Sequence, residues 1–366
     1  MTYYKLKSSC GTPVLLGCLL AFLLLSCSRT QEGYTDSLDC PVAGELHFQV
    51  LNDSFPLAYP SDIFVIGNTL VVADAECGDN LFYVFDKESG EFIKGGGKKG
   101  EGPGEVISPA FNAHPDHRGG ISYWDKAKSK VFLYQIDSLL SGATDYVTEI
   151  PLPRISNLVK NDALTLSDGV LYTNLFPLGE TEEKIFLAKS GSNASVPCPT
   201  VPEIASEEEG WNIMAQAHWE VSPDEKHLVL ATSIGGIVQG YALDGSNDPQ
   251  EIFSRHYFKP IYDLAQGAVP AWVIWTDDTR LGFWDISLSN RYAYLLFDGK
   301  VAKDNQEGIV NEVRIMDMEG HWAGKWILDK SVHCIAVDEE GKKLYAVGQE
   351  AEGEPQLLVA SWKNSL

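Results

Sequence analysis

Short apolar runs recur along this chain, each about five residues long, the usual length of a strand. Turns rich in Gly, Asp, Asn or Pro bound the copies of this pattern. The first pair is Leu70 to Asp74 and Leu81 to Asp86, introduced by Gly67-Asn68, turned at Lys87 to Gly90 and followed by Glu91 to Lys94. Val, Ile, Leu, Tyr and Phe dominate these runs, and such runs between turn formers read as β-strands. The pattern returns at Ile121 to Asp125 with Val131 to Tyr134, and at Val170 to Asn174 with Lys184 to Ala188. It returns again at His227 to Ala231 with Val238 to Ala242, at Tyr292 to Leu296 with Asn311 to Asp317, and at Lys343 to Val347 with Gln356 to Ala360. No long helical period breaks the series. Ser138 to Gly142 predicts one helical turn.

From Leu70 to Leu344 there are 274 residues and five intervals, a period of about 55, near the range of propeller blades. Strands of about five residues with turns between them fit four to a repeat. The reading is an all-β fold: a six-bladed β-propeller of four-stranded antiparallel blades. A lone four-stranded sheet leaves both faces wet, whereas a ring of sheets buries them and protects the edges. The last copy offers three strands, near Cys334 to Val337, Leu344 to Val347 and Leu357 to Trp362. The alternating segment Glu45 to Leu51 is therefore expected to complete the last blade as its outermost strand.

The N-terminus adds an address. Lys5 and Lys7 precede an apolar stretch from Val14 to Leu25, too short to span a bilayer comfortably. It ends in Leu24-Leu25-Ser26-Cys27, which resembles a bacterial lipobox. The expected organisation is a signal peptide over residues 1–26, a polar tether over 27–43 starting at acylated Cys27, and the propeller over 44–366. Acyl chains stabilise membrane attachment by about 0.8 kcal/mol per buried methylene. Outer-membrane anchoring through Cys27 follows as an expectation, with the periplasmic or cell-surface face left open.

Charge narrows the partners. The chain carries 28 basic and 51 acidic residues, a net charge of -23. Without Lys5 and Lys7 the basic count falls to 26 and the net charge to -25. A phosphate-backbone binder needs cations to displace counterions, so nucleic acid is not expected as a partner. Cys40, Cys77, Cys198 and Cys334 follow the lipobox, in a compartment that permits disulfides; four thiols allow three complete pairings. No zinc-type Cys spacing exists.

The run Gly95-Gly96-Gly97-Lys98-Lys99-Gly100-Glu101-Gly102-Pro103-Gly104-Glu105 lacks the helix-opening Gly-Lys-Ser/Thr of a phosphate loop. It reads as a wide inter-blade link. With the lipobox and the six repeats, it resembles the TolB-like six-bladed propeller lipoproteins of Gram-negative bacteria, whose members tend to carry a G-x-G-P-G-E stretch after the first blade. Ser222-Pro223-Asp224-Glu225-Lys226 and Asp338-Glu339-Glu340-Gly341-Lys342 resemble the S-P-D-G-K turn of that family, the first with Glu225 where Gly is usual. The resemblance covers nearly all of 44–366. It implies the fold and leaves activity open, because propellers host unrelated functions.

A propeller's ligand site is expected where inner strands start and where second and third strands connect. The candidates are Asp62, Glu105, Trp124, Asp125, His218, Trp219, Trp284, Asp285 and His333. Aromatic rings beside carboxylates suit polar ligands such as sugars, since rings stack and carboxylates accept hydroxyl hydrogens. His114-Pro115-Asp116-His117 holds three possible metal ligands, but a Pro-Asp turn between strands accounts for it. No nucleophile elbow, zinc-helix motif or EF-hand loop is present. No catalytic residue, metal or cofactor is assigned. The expected function is a membrane-anchored module that binds a glycan, peptide or outer-membrane protein. The alternative is a hydrolase or lyase using axial carboxylates, His or a metal.

Overall fold

The computed structural model describes residues 33–109, 112–152, 158–159, 162–177, 185–189, 195–197, 213, 216–243, 249–265, 273–304, 310–348 and 353–363. Cys27, Cys198 and the signal segment lie outside them. The described chain is all-β apart from short helical pieces. The expected helical turn is a helix over Ile136–Ser141, closed by Gly142 in the left-handed region at φ 79°.

Six sheets of four or five strands and a two-stranded ribbon hold the strands. The first sheet runs Asp62–Ile66, Thr69–Ala73, Asn80–Asp86 and Phe92–Lys99, with Glu105–Val106 added in parallel at its outer edge. The second runs His114–Asp116, Gly120–Asp125, Lys130–Gln135 and Val147–Pro151. The third is built on Asp162–Leu166, Gly169–Pro177, Ile185–Lys189 and Ser195–Pro197. The fourth runs Ala217–Val221, His227–Thr232, Ile237–Ala242 and Gln250–His256. The fifth runs Phe283–Leu288, Tyr292–Phe297, Glu312–Asp317 and Trp322–Leu328. The sixth runs Val332–Asp338, Lys343–Gly348 and Gln356–Ser361. These strands pair antiparallel in sequence order, and the sheets pack as a propeller around a central axis.

Burial explains why the second strand of each sheet has the clearest apolar signature. Thr69–Ala73 is buried at every position, and His227–Thr232, Tyr292–Phe297 and Lys343–Gly348 are buried after their first residue. Such a strand is covered by the neighbouring sheet on either face, so both its side-chain rows must be apolar. Outer strands are wetter, as in Gln250–His256. Apolar clusters fill the gaps between sheets: Val71, Val84, Ile121 and Phe132 between the first and second, and Tyr294, Ile315, Ile335 and Leu344 between the fifth and sixth. Between the second and third, the inner strands are also tied by polar bonds. The Thr165 hydroxyl donates to Asp116 Oδ2 at 2.7 Å, and His114 Nε2 meets Asp162 Oδ2 at 2.9 Å.

Three expectations need correction. The segment Glu45 to Leu51 is not one strand. Val42–Leu46 runs parallel to Trp322–Leu328 as the fifth strand of the fifth sheet, and Gln49–Asn52 pairs antiparallel with Gln356–Ser361 in the sixth. The chain crosses between them at a corner where the Phe48 amide donates to Asp329 Oδ1 at 3.0 Å. The described part of the tether is not a free stalk. Tyr34 is buried, the His256 amide donates to Asp36 Oδ2 at 2.7 Å, and the Trp322 indole donates to the Ser37 carbonyl at 3.1 Å. His114 to Asp116 is not a turn but the innermost strand of the second sheet.

Glu225 takes φ 55°, a left-handed conformation that Gly adopts at least cost. Its carboxylate offsets that strain by accepting the Ser167 amide, 3.0 Å from each oxygen. Cys40, Cys77 and Cys334 are free thiols, so no disulfide joins any two of them.

Candidate functional site

The first strands of the sheets carry polar residues at their axial ends, within otherwise apolar runs. Asp62, His114, Trp219, Glu220 and Asp285 are buried, and with His218 they line a narrow neck on the axis. The void there is about 20 Å³, room for a single water. Neighbouring first strands are not joined by ladders of backbone bonds, and several of these side chains bridge them instead. Asp62 Oδ2 accepts the Ala113 amide at 3.1 Å, from the second sheet. Asp285 Oδ2 accepts the Ile335 amide at 2.6 Å, from the sixth. Asp162 Oδ2 accepts the Trp219 indole at 3.3 Å, from the fourth. Ser287 Oγ accepts the Val337 amide at 3.1 Å. Buried amides need such acceptors, so the axial carboxyls hold the ring together.

Burial sets their protonation. It pushes Asp62 up to about 6, opposed by the Ser61 hydroxyl, the Ala113 amide and His114 and reinforced by Asp162. Burial raises Glu220 well above the ordinary carboxyl range, and the charge of Asp285 adds to it. Asp285 is raised in the same way, by burial and then by Asp62. Burial draws His114 down, but the carboxylate of Asp162 overcomes it, and the net shift is upward. His218 has no such partner and burial takes it to about 4. Burial thus favours the protonated form of Glu220 and of Asp285, and at neutral pH His218 is a neutral imidazole.

These shifts fix a pH dependence. The fold favours protonated Asp62, so that contribution is complete below its ordinary value of 3.8 and lost as pH rises through about 6. The difference corresponds to about 3 kcal/mol at neutral pH. Asp62→Asn keeps an acceptor for Ala113 and cannot ionise. Its stability relative to wild type, from urea melts, should improve by about 2.5 kcal/mol between pH 4 and pH 7.5. An unchanged difference would contradict the assignment.

Below the neck the axis opens into a cavity of about 570 Å³. Ile63, Phe64, Pro115 and Glu220 line both spaces. Val65, Leu288 and Val337 extend the apolar wall, while Asp338, Glu339 and Glu340 form an acidic side with Arg291. Arg291 pairs with Glu339. Lys87 pairs with Asp338 at 3.0 Å, and His117 Nε2 meets the Val221 carbonyl at 2.8 Å.

Of the residues expected at the channel mouth, the structure brings Asp62, His218, Trp219 and Asp285 together at the neck. The others lie elsewhere. Asp125 ends a second strand, where it accepts the amides of Ile107 at 2.7 Å, Ala127 at 2.9 Å and Lys128 at 3.0 Å. Beside it, Trp124 is buried with Lys126 5.8 Å from its ring centre. Trp284 packs edge-on against Trp275 at 5.7 Å, with its indole 3.4 Å from Asp298 Oδ2. His333 is exposed beside the buried Val332 and Cys334. Glu105 lies at the outer edge of the first sheet, not at the axis. Its carboxylate accepts the Gly102 amide at 2.9 Å, and its backbone carbonyl takes the Lys128 ammonium at 2.6 Å. A Cβ on Gly100 would sit 2.2 Å from that carboxylate, so the Gly-rich motif is shaped around Glu105.

His114, Asp162 and Glu220 are axial residues that the sequence reading misses. Their signal is a polar residue at an inner-strand position, in two of the three directly before an apolar one: Asp162-Ala163 and Glu220-Val221, like Asp62-Ile63 and Asp285-Ile286. His114, Asp116 and His117 do not converge on a metal. They bond to Asp162, to Thr165 and Arg118, and to the Val221 carbonyl.

A family model described as TolB-like 6-blade propeller-like matches residues 44–340. The chain belongs to that family. Among solved structures, this TolB-like propeller is similar to a candidate exported protein of Bacteroides fragilis, with 15% identity, 87% of this chain and 95% of that chain covered, and a TM-score of 0.53. It also matches a member of the duf4221 family from Bacteroides vulgatus, with 13% identity, 87% and 96% covered, and a TM-score of 0.49. No curated protein matches the sequence. Among the described residues, no helix is long and apolar enough to cross a membrane.

Proposed function

We propose that this TolB-like propeller is an exported binding module of six blades, held to the outer membrane by a lipid on Cys27, that takes a peptide segment in its axial cavity. The observation that carries the reading is the cavity of about 570 Å³, with apolar walls, an acidic side and Glu220, a carboxyl that burial raises, between it and the neck. Ligand sites of this size pair apolar lining with a few polar groups. Ile63, Phe64 and Leu288 would take an apolar side chain. Glu340, beside the Arg291-paired Glu339, would attract a basic one. The six sheets and the pairing of Gln49–Asn52 in the last support the blade count. The name of the Bacteroides fragilis protein and the lipobox support export.

An axial enzyme has less support. Asp62 and Asp285, the acids it would use, already accept backbone amides, and the void beside them holds one water.

Parallel peptide and glycan arrays test the binding reading. Peptides that pair a basic residue with an apolar one should bind, and Glu339→Lys/Glu340→Lys should weaken them at least tenfold. Preference for acidic peptides, or neutral glycans bound equally by both proteins, would contradict it.

A further inference from the structure

A second cavity, of about 600 Å³, lies against the fifth sheet and beside Leu38 to Pro41. Four cations line it in a strongly acidic chain: Arg280, Lys300, Arg314 and Lys325. Glu312 serves two of them, 2.7 Å from Arg314 and 2.8 Å from Lys325. Asp298 is taken up by the Trp284 indole and the Lys300 amide, at 3.4 and 3.3 Å. Asp39 is the third acid of the lining.

Arg280 is the decisive residue. Its Nε donates to the Gly299 carbonyl at 2.8 Å, and its guanidinium lies 4.3 Å from the centre of the Phe258 ring. Among the described residues no carboxylate pairs with it, although the chain has 51 acidic residues. Arg314 is buried, with its guanidinium 4.2 Å from the Phe297 ring centre and donating to the Leu38 carbonyl. The two guanidiniums are thus set in place before any ligand arrives. Burial, and then the charge of Arg314, holds Arg280 below its ordinary range, a repulsion that an anion would relieve. Guanidinium forks match phosphate oxygens in pairs, and holding them on aromatic faces reduces the ordering cost of binding.

We propose that this cavity is an anion site for a phosphate-bearing ligand, with Arg280 as its principal contact and Lys300 and Lys325 at its sides. A free phosphate compound and a lipid headgroup share this chemistry. Tyr34, already packed on the fold, lies seven residues after Cys27, at most about 25 Å of extended chain, and Leu38 of the cavity lining follows four residues later. On the lipid-anchored reading above, the cavity is therefore within reach of membrane headgroups. The anion site itself does not depend on that reading.

The test uses residues 27–366 with Cys27→Ser, so that no acyl chain contributes. Calorimetry with inorganic phosphate in 0.1 M NaCl, and flotation with phosphatidylglycerol or phosphatidylcholine vesicles, are run on this protein and on Arg280→Gln. Saturable 1:1 phosphate binding, weakened at least tenfold by Arg280→Gln, supports a free ligand. Flotation only with phosphatidylglycerol, lost in Arg280→Gln, supports a headgroup. Melting temperature checks that the variant is folded, and Lys300→Gln gives a second, milder variant. No binding to either probe, or binding indifferent to both substitutions, would overturn the site. Neither outcome bears on peptide binding in the axial cavity.

Discussion

Removing residues 1–52 should abolish the cooperative fold, whereas removing residues 1–32 should leave it intact. The larger deletion takes away both Val42–Leu46 and Gln49–Asn52, exposing the outer edges of the fifth and sixth sheets. It also removes Leu46 and Phe48, buried at 3% and 7% exposure in the cluster between those sheets. Each buried side chain of this size contributes about 1.5–3 kcal/mol. With two ladders lost as well, the total approaches the roughly 5–15 kcal/mol by which whole domains are stable. Urea melts followed by circular dichroism, with dye binding to exposed apolar surface, would show a broad or absent transition. A cooperative melt within about 1 kcal/mol of the shorter deletion would mean that these strands are accessory.

Asp74→Ala should cost about 3–5 kcal/mol, among the largest effects of any single substitution. Asp74 is fully buried at the end of the second strand of the first sheet. Its carboxylate accepts the amides of Ala58 at 2.7 Å, Tyr59 at 3.1 Å, Glu76 at 3.2 Å and Cys77 at 3.1 Å. It ties the link that enters the first sheet to the turn that leaves its second strand. Alanine removes the carboxylate from all four donors and leaves the Cys77 amide only the backbone carbonyl of residue 74, at 3.3 Å. An asparagine side chain would keep one acceptor oxygen, so Asp74→Asn should lose about half as much. Equal stability of Asp74→Ala and wild type in urea would refute this role.

Asp125 occupies the matching place in the second sheet and serves the Ile107 amide in the same way. This equivalence shows what was legible in the sequence. The apolar second strands, with an Asp after the first two of them, give the repeat and its phase because both their faces are buried. The innermost strands are harder to read. His114–Asp116 has three residues and contains a proline, which reads as a turn. An inner strand is the free edge of its sheet, facing the axis, and an edge tolerates a residue without an amide hydrogen. The axial acids were half visible for a related reason. Asp62 and Asp285 stand at the first strands as expected, but their partners Ala113 and Ile335 belong to neighbouring sheets. No local pattern carries that pairing. The split at His47-Phe48 was hidden too, because Glu45 to Leu51 alternates as one strand would. Only the Asp329 contact marks the crossing from one sheet to the next.

The sheets close into a ring only if the two ends of the chain meet, and a cross-link reads that most directly. Gln49 and Val359 are register partners on opposite ends of the chain, and antiparallel partners lie within disulfide range. Gln49→Cys/Val359→Cys should form a 49–359 disulfide under mild oxidation, identified by mass spectrometry of the non-reduced digest, and should raise the melting temperature. Failure of that pair to link in folded protein would mean that the two ends of the chain do not meet.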